Sequence, residues 1–231
     1  SIGIYFGSNN SDDTFYIIPI KEISELREIS KNSNPPILDS LDSHKKLVDL
    51  KKLDDEFQLD IRYASTNNFM RSKFYKNERA FFNMSAADRL IEAKNDLKEL
   101  GYGIIIYDAY RPWFVTKMFW EGTPENLKHF VANPENGSSH NKGCAIDIGL
   151  YDIETGESIV MISGYDEFTE RAYPNYMGGS KKQRDIRDML IQVMERNDFT
   201  VYEYEWWHFN YNGCDSGIMN YSFEELDSIS S

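Results

Sequence analysis

Apolar residues recur with a helical period in the middle of the chain. They stand three or four positions apart at Leu90, Ala93, Leu97 and Leu100. A capping-box-like segment, Ser85 to Asp88, precedes them and Gly101 follows, and both are typical signals of helix ends. The pattern therefore predicts an amphipathic helix between these signals.

Two further helices are predicted on similar grounds. Residues 181–197 carry an amphipathic period, with inward positions at Ile186, Leu190, Val193 and Met194. Pro112 suits the first turn of another helix, which is expected to run through Trp120.

Short apolar runs predict buried strands at residues 103–107, 145–150 and 200–204. The helices are grouped and several strands lie close together in sequence, which favours an antiparallel or mixed sheet over a doubly wound one. The predicted fold class is α+β, a mainly antiparallel central sheet with helices packed on it. A length of 231 residues suits one such domain.

The first part of the chain differs from the rest. Residues 7–14 read GSNNSDDT and residues 31–36 read KNSNPP, both rich in turn formers. We therefore predict an N-terminal extension over residues 1–48 and a catalytic domain over residues 49–231. A short strand at 15–20 and a short helix at 23–29 are expected within the extension, which would wrap around the domain.

Composition and charge limit the classes of partner. The formal net charge is −13, which argues against nucleic-acid binding because phosphate recognition needs clustered Lys and Arg. No apolar run approaches the roughly 20 residues that a membrane-spanning helix needs. A chain that begins at Ser1 fits either a cytoplasmic protein or an exported one whose signal segment was removed, so its location stays open.

Two cysteines are present, Cys144 and Cys214. They offer neither a disulfide framework nor a four-cysteine zinc site. Cys144 is expected to be a small buried thiol, with metal ligation as the weaker alternative.

Four residues have the composition of a catalytic metal site. His140 precedes the turn at Gly143, and Asp147 lies in an apolar strand, where an unpaired carboxylate would be costly. Residues seven apart point to opposite faces of a strand, so His140 must belong to the turn. Glu205 and His208 lie together in EWWH, in a segment that is predicted to be a strand or hairpin.

Each of these residues also has a structural interpretation. His140 alone is more often a surface or capping histidine, and Asp147 alone could equally be satisfied by turn amides. Glu205 and His208 could form a hydrogen-bonded pair on an aromatic edge strand. Taken together, however, two imidazoles and one carboxylate match a catalytic zinc site, which leaves its fourth position for water. Glu205 would then transfer protons, and Trp206 and Trp207 would exclude solvent.

Four sequence segments carry a family resemblance. They are SSHNKGCAIDIGLYD (138–152), EWWHF (205–209), DAYRP (108–112) and YDEFTERA (165–172). In kind and spacing they resemble the signature segments of the D-Ala-D-Ala dipeptidase family, from about Leu53 to Phe209. The H-x6-D and E-x-x-H pair is shared with the wider superfamily of D,D-carboxypeptidases and hedgehog-like domains, whereas the paired tryptophans are similar to the dipeptidase branch.

The resemblance implies a role for eight residues. Zinc, one ion per chain, is expected on His140, Asp147 and His208, with Glu205 as the general base. Arg111 would stabilise the oxyanion, although it could also be a structural partner of Asp108. The resemblance also places Tyr63, Asp166 and Ser138 in the substrate pocket, with Tyr63 and Asp166 holding the substrate ammonium.

The expected substrate is D-Ala-D-Ala or a related D-amino-acid dipeptide, bound in a small, closed, partly aromatic pocket. The implied biological role is turnover of cell-wall precursors or resistance to glycopeptide antibiotics. Two alternatives remain. One is a D,D- or L,D-carboxypeptidase that acts on peptidoglycan stem peptides, and the other is a zinc-containing binding module without turnover.

Overall fold

The computed structural model describes residues 5–6 and 15–229 as an α+β domain. The strands are β1 (Tyr5–Phe6), β2 (Phe15–Tyr16), β3 (Leu47–Asp49), β4 (Gln58–Leu59), β5 (Phe81–Asn83), β6 (Tyr102–Asp108), β7 (Ala145–Asp152), β8 (Phe199–Tyr202) and β9 (Glu205–Tyr211). The α-helices are α1 (Ile23–Lys31), α2 (Leu50–Leu53), α3 (Met84–Glu99), α4 (Trp113–Gly122), α5 (Lys181–Arg196) and α6 (Phe223–Ile229). Short 3-10 helices occur at Ser43–Lys46, Arg62–Ala64, Glu125–Phe130, Ser139–Lys142 and Glu170–Ala172.

The central sheet has five strands in the order β4-β6-β7-β9-β8. β4 runs parallel to β6, and the other neighbours are antiparallel, so the predicted mainly antiparallel sheet is confirmed. β7 lies in the middle, where its Asp147 is directly opposite His208 of β9. Asp108 at the end of β6 is opposite Asp147 on the other side. This register brings polar residues from three strands to one end of the sheet.

Helices α3 and α5 pack on the sheet through the apolar positions that the sequence period indicates. Leu90, Ala93 and Leu97 are buried, as are all four inward positions predicted for α5. Leu100 is different: it is 53% exposed because it caps the end of α3 instead of facing the core. Tertiary packing decides which side chains face the sheet. The helical period predicts these positions within the helix, but not at its end.

The observed helix starts differ slightly from the predicted ones. The N-cap of α3 is Asn83, whose side chain accepts hydrogen bonds from the backbone of Ser85 and Ala86. An asparagine side chain caps the first turn as the predicted serine cap would have done, but it does so two residues earlier in the chain. Pro112 is the N-cap of α4, which continues two residues past Trp120 to Gly122.

Residues 15–31 lie against the domain. The predicted strand at 15–20 is shorter than expected, because only Phe15 and Tyr16 pair, while the predicted helix extends to Lys31. The backbone amide of Ile17 donates to the carbonyl of Phe69 over 2.7 Å, and α1 packs on α4. The GSNNSDDT segment lies outside the described residues, and the division at residue 48 stays a prediction. Among the described helices, none has the length and apolar character needed to span a membrane.

The two cysteines form a disulfide, so the prediction of a free Cys144 thiol is wrong. Cys144 immediately precedes β7, and Cys214 follows the neighbouring strand β9. Pairing of Ala145 with Asn210 brings the two ends together, and the Cα atoms of the cysteines are 5.8 Å apart. Because its sulfur is bonded to Cys214, Cys144 is not available as a metal ligand.

Candidate active site

Three elements place His140, Asp147 and His208 together. His140 lies in the 3-10 helix Ser139–Lys142 that precedes β7, as strand parity requires. Asp147 and His208 are cross-strand neighbours on β7 and β9. One nitrogen of each imidazole, Nε2 of His140 and Nδ1 of His208, lies 3.2 Å from Oδ1 of Asp147. All three residues are buried, and their ligand atoms lie within 4.8 Å of one another.

The imidazoles are oriented by hydrogen bonds on their outer nitrogens. Nδ1 of His140 donates to the carbonyl of Ala109 over 2.8 Å, and Nε2 of His208 donates to Oδ1 of Asn210 over 2.9 Å. These bonds leave the lone pair of each inner nitrogen facing Asp147. Such outer hydrogen bonds are the usual support of metal-binding histidines.

Asp147 itself fits a metal ligand. Its Oδ2 accepts a hydrogen bond from the Tyr165 hydroxyl over 2.6 Å, whereas its buried Oδ1 accepts none from the described residues. Burial opposes ionisation, but the neighbouring His140 and His208 hold the pKa of Asp147 well below its usual range. With bonds of 2.0–2.1 Å, the edge of a tetrahedral zinc site is about 3.3 Å, close to the observed separations of these nitrogens and Oδ1.

A cavity of about 250 Å³ opens beside these three residues. Its lining includes all eight residues predicted for the site: Tyr63, Arg111, Ser138, His140, Asp147, Asp166, Glu205 and His208. Besides Tyr63, its aromatic lining residues are Phe69, Phe119, Phe130, Phe168 and Tyr202. The cavity is small, and aromatic side chains form part of its lining.

Glu205 stands at the start of β9, with its Oε1 3.8 Å from Nδ1 of His208. Burial raises the pKa of Glu205, and His208 partly opposes this effect. A carboxyl group with a raised pKa is suited to accept and return protons near neutral pH. The adjacent Trp206 and Trp207 are core residues behind the site, since neither is among the side chains that line the cavity.

Arg111 is held by Asp108, and it also lines the cavity. Its Nε donates to Oδ2 of Asp108 over 2.9 Å, and its guanidinium lies 4.9 Å from the ring centre of Phe119. Tyr75 donates a second hydrogen bond to Asp108, over 2.8 Å. Arg111 therefore does have Asp108 as its structural partner. The other end of the guanidinium lies 4.0 Å from Oδ2 of Asp147.

Asp166 and Tyr63 form a second buried group in the lining of the cavity. The Tyr63 hydroxyl donates to Oδ2 of Asp166 in a short hydrogen bond. Burial, with a smaller contribution from the charge of Asp147, raises the pKa of Asp166 to about 7. Asp166 has a φ of 56°, a left-handed conformation that is uncommon for residues with a side chain. Strained backbone of this kind is concentrated at functional sites.

Ser138 has a local structural role as well as a place in the lining. Its Oγ accepts a hydrogen bond from the backbone of His140 over 3.2 Å, and its own amide donates to Oδ1 of Asn141 over 2.8 Å. This reciprocal arrangement is a capping box for the 3-10 helix that carries His140.

Three supporting residues have no role in the sequence analysis. Asn210 holds His208 and also accepts a hydrogen bond from Ser139, and strand parity could have placed it beside His208. Asn141 is completely buried and donates to the carbonyl of Arg111 and to Thr116. Tyr165 bonds to Asp147 from a distant loop, and no local pattern indicates this contact.

The buried His-Asp-His cluster, beside a glutamate and an arginine in one small cavity, defines a metallopeptidase-type hydrolytic site. The family model described as D-Ala-D-Ala dipeptidase matches residues 43–227. The chain therefore belongs to the D-Ala-D-Ala dipeptidase family, a family of zinc-dependent peptidases.

Two dipeptidase relatives agree with this membership. A D-alanyl-D-alanine dipeptidase of Escherichia coli (strain K12) is 30% identical over 164 residues, which cover 71% of this chain and 83% of the relative. One from Enterococcus faecium is 32% identical over 171 residues, covering 65% of this chain and 83% of the relative. The solved LD-carboxypeptidase LdcB matches 58% of this chain and 61% of its own, with 20% identity and a TM-score of 0.40.

Proposed function

We propose that this protein hydrolyses D-Ala-D-Ala or a related D-amino-acid dipeptide with the help of one zinc ion, in the turnover of cell-wall precursors or in glycopeptide resistance. The observation that carries the proposal is the shared cavity: the three candidate zinc ligands and the Asp166–Tyr63 pair line the same space of about 250 Å³. The volume suits a small ligand, and the two groups of lining side chains offer different chemistry.

Asp166 is proposed to bind the free ammonium of the substrate. When a cation lies beside it, the carboxylate is stabilised in its charged form, which offsets the burial that raises its pKa. Tyr63 holds one oxygen of Asp166, so the direction of the carboxylate is defined before substrate binds. A substrate gains this charge pairing only when its amino terminus is next to the scissile bond, which selects dipeptides over longer peptides.

His140, Asp147 and His208 are proposed to hold the zinc ion, which when bound polarises the scissile carbonyl and lowers the pKa of water. Glu205 accepts the proton of the attacking water and returns it to the leaving amine. Arg111 stabilises the negative charge that develops on the carbonyl oxygen, and Asp108 fixes its guanidinium in advance. Ser138 lines the substrate pocket and keeps the His140 turn in place.

The test is release of free alanine, of either configuration, from three substrates: D-Ala-D-Ala, L-Ala-L-Ala and N-acetyl-D-Ala-D-Ala. The wild-type protein should cleave only the free D,D-dipeptide. Glu205→Gln should lower kcat about 10²–10⁴-fold, since it removes the proton acceptor, while zinc content measured by metal analysis stays the same.

Each other outcome points to a different protein. Cleavage of the acetylated substrate would contradict the dipeptidase proposal in favour of a carboxypeptidase, because no free ammonium is then required. Zinc binding with no turnover of any of the three substrates would favour a binding module.

A further inference from the structure

Tyr165 contacts the proposed zinc ligand Asp147 from a loop that carries none of the three ligands. Its hydroxyl donates to Oδ2 of Asp147 over 2.6 Å. This is the only hydrogen bond from a side chain that Asp147 accepts within residues 15–229. The terminal nitrogen of Arg111 is 4.0 Å from the same oxygen, beyond hydrogen-bond distance.

The ring of Tyr165 has little freedom to move. It is 5% exposed and packs against Tyr107 of β6, with ring centres 4.8 Å apart, and against Trp207 of β9, at 5.5 Å. The guanidinium of Arg62 lies 5.8 Å from the centre of the same ring. Contacts from separate elements therefore fix the position of the hydroxyl.

The hydrogen bond distinguishes the two oxygens of Asp147. Rotation of a carboxylate group exchanges its oxygens, and a donor on one oxygen limits that rotation. With Oδ2 held by Tyr165, Oδ1 stays directed at the inner nitrogens of His140 and His208, 3.2 Å away, where it accepts no hydrogen bond from the described residues. Hydrogen bonds of this kind commonly orient the ligands of a metal site.

Tyr165 also lies next to the ammonium subsite. Its hydroxyl oxygen is 3.3 Å from that of Tyr63, which in turn donates to Asp166. The two tyrosine hydroxyls thus stand between the carboxylate proposed for zinc and the carboxylate proposed for the substrate amine.

We propose that Tyr165 is a positioning residue for zinc, which orients Asp147 through this hydrogen bond so that Oδ1 is presented to the metal. The proposal rests on the proposed zinc site, but it does not depend on which peptide is the substrate. Tyr165 does not line the cavity and is not expected to touch the substrate.

The test measures the zinc dissociation constant of the full chain by competition with a chelator, with no substrate present. Tyr165→Phe keeps the ring and removes the hydroxyl, and it should weaken zinc binding about 10–100-fold. The matched control is Tyr107→Phe, which removes a hydroxyl from the neighbouring ring without touching a proposed ligand. The zinc dissociation constant of the control should stay within about 3-fold of the wild-type value, which is small compared with the loss expected for Tyr165→Phe.

Two further measurements separate positioning from general destabilisation. The melting temperature of the metal-free protein should be similar for both Phe variants, whereas the visible absorption spectrum after cobalt substitution should change only in Tyr165→Phe. If Tyr165→Phe folds poorly, Tyr165→Met fills similar space with a flexible side chain, and it should show the same loss of zinc affinity.

The outcomes are distinguishable from failure of the proposed function. Wild-type zinc affinity in both Tyr165 variants would overturn this inference alone, even if D-Ala-D-Ala is hydrolysed. If Tyr165→Phe binds zinc more weakly but the wild-type protein cleaves none of the dipeptides, this inference is supported and the dipeptidase proposal fails. A wild-type protein that binds no zinc would overturn both.

Discussion

The two sides of the cavity are built in different ways. On the side proposed to hold zinc, which we call the metal side, Asp147 and His208 belong to adjacent strands of the sheet, and His140 stands in a capped turn directly before one of them. On the side proposed to bind the substrate amine, which we call the ammonium side, Tyr63 belongs to a short 3-10 helix and Asp166 to a loop, where it has a positive φ. Backbone hydrogen bonds of the sheet define the first arrangement, and side-chain contacts define the second.

This difference separates the chemistry from substrate selection. A metal site requires positions fixed within a fraction of an ångström, which regular elements provide best. Loops can change shape and residue type without breaking the sheet, and they commonly carry binding residues. We therefore expect substitutions on the metal side to lower turnover or metal binding, and substitutions on the ammonium side to change which substrate is accepted.

The largest effect among the following predictions is expected at Arg111, which lies between the two sides. Arg111→Lys keeps the charge but loses the Nε donor that fixes the group on Asp108, so kcat should fall about 10²–10³-fold with a smaller change in KM. Steady-state kinetics on D-Ala-D-Ala would measure this. Arg79→Lys is the control, since Arg79 pairs with Asp49 and Asp227 and does not line the cavity.

Equal loss in Arg111→Lys and Arg79→Lys would contradict a specific role for Arg111. A change confined to KM would instead show that Arg111 contributes to ground-state binding of the substrate.

An intermediate effect, on stability instead of turnover, is expected from the disulfide that links the residue before β7 to the segment after β9. Replacing Cys144 and Cys214 together with alanine should lower the free energy of unfolding by about 2–4 kcal/mol, because the disulfide closes a long loop in the unfolded chain. Urea unfolding followed by circular dichroism would measure the difference.

Dithiothreitol provides the control for this prediction. It should destabilise the wild-type protein and leave the alanine double variant unchanged. If the wild type is equally stable with and without the reductant, the pairing contributes little to holding the metal side together.

The smallest effect is expected on the ammonium side. Asp166→Asn removes the charge that pairs with the substrate amine, so the preference for D-Ala-D-Ala over its N-acetylated form should fall about 10–100-fold, as for loss of a hydrogen bond to a charged group. Zinc affinity should not change. Glu167→Gln is a control in the same loop, because Glu167 is buried beside Asp166 but does not line the cavity.

An Asp166→Asn variant that keeps full discrimination against the acetylated substrate would place the ammonium elsewhere. Loss of zinc from this variant would show that metal binding and substrate selection do not depend on separate groups of residues.

The sequence predictions were more accurate for features that depend on neighbouring residues than for features that depend on distant ones. The helices α3 and α5 and the strands of the site were predictable because periodicity and turn residues act over neighbouring positions. The end of α3 was predicted less well, since Leu100 is exposed although it continues the apolar period. Whether a terminal residue is buried depends on what packs there, and that is not a local property.

The candidate ligands were predictable from the spacing of H-x6-D and E-x-x-H, together with the family resemblance. Their supporting contacts were not. The disulfide between Cys144 and Cys214 depends on pairing of β7 with β9. The hydrogen bond from Tyr165 to Asp147 depends on where a loop returns to the sheet. Neither the pairing nor the loop path is encoded by residues next to the contact.

By itself, the sequence predicted helices α1, α3, α4 and α5, the strands of the site, the family and the set of candidate residues with catalytic chemistry. Only the tertiary structure decided that Cys144 is bonded to Cys214, that the carbonyl of Ala109 orients His140, and that Tyr165 holds one oxygen of Asp147. The physical reason is range: periodicity and capping join residues a few positions apart, whereas these contacts join residues that only strand register and core packing bring together.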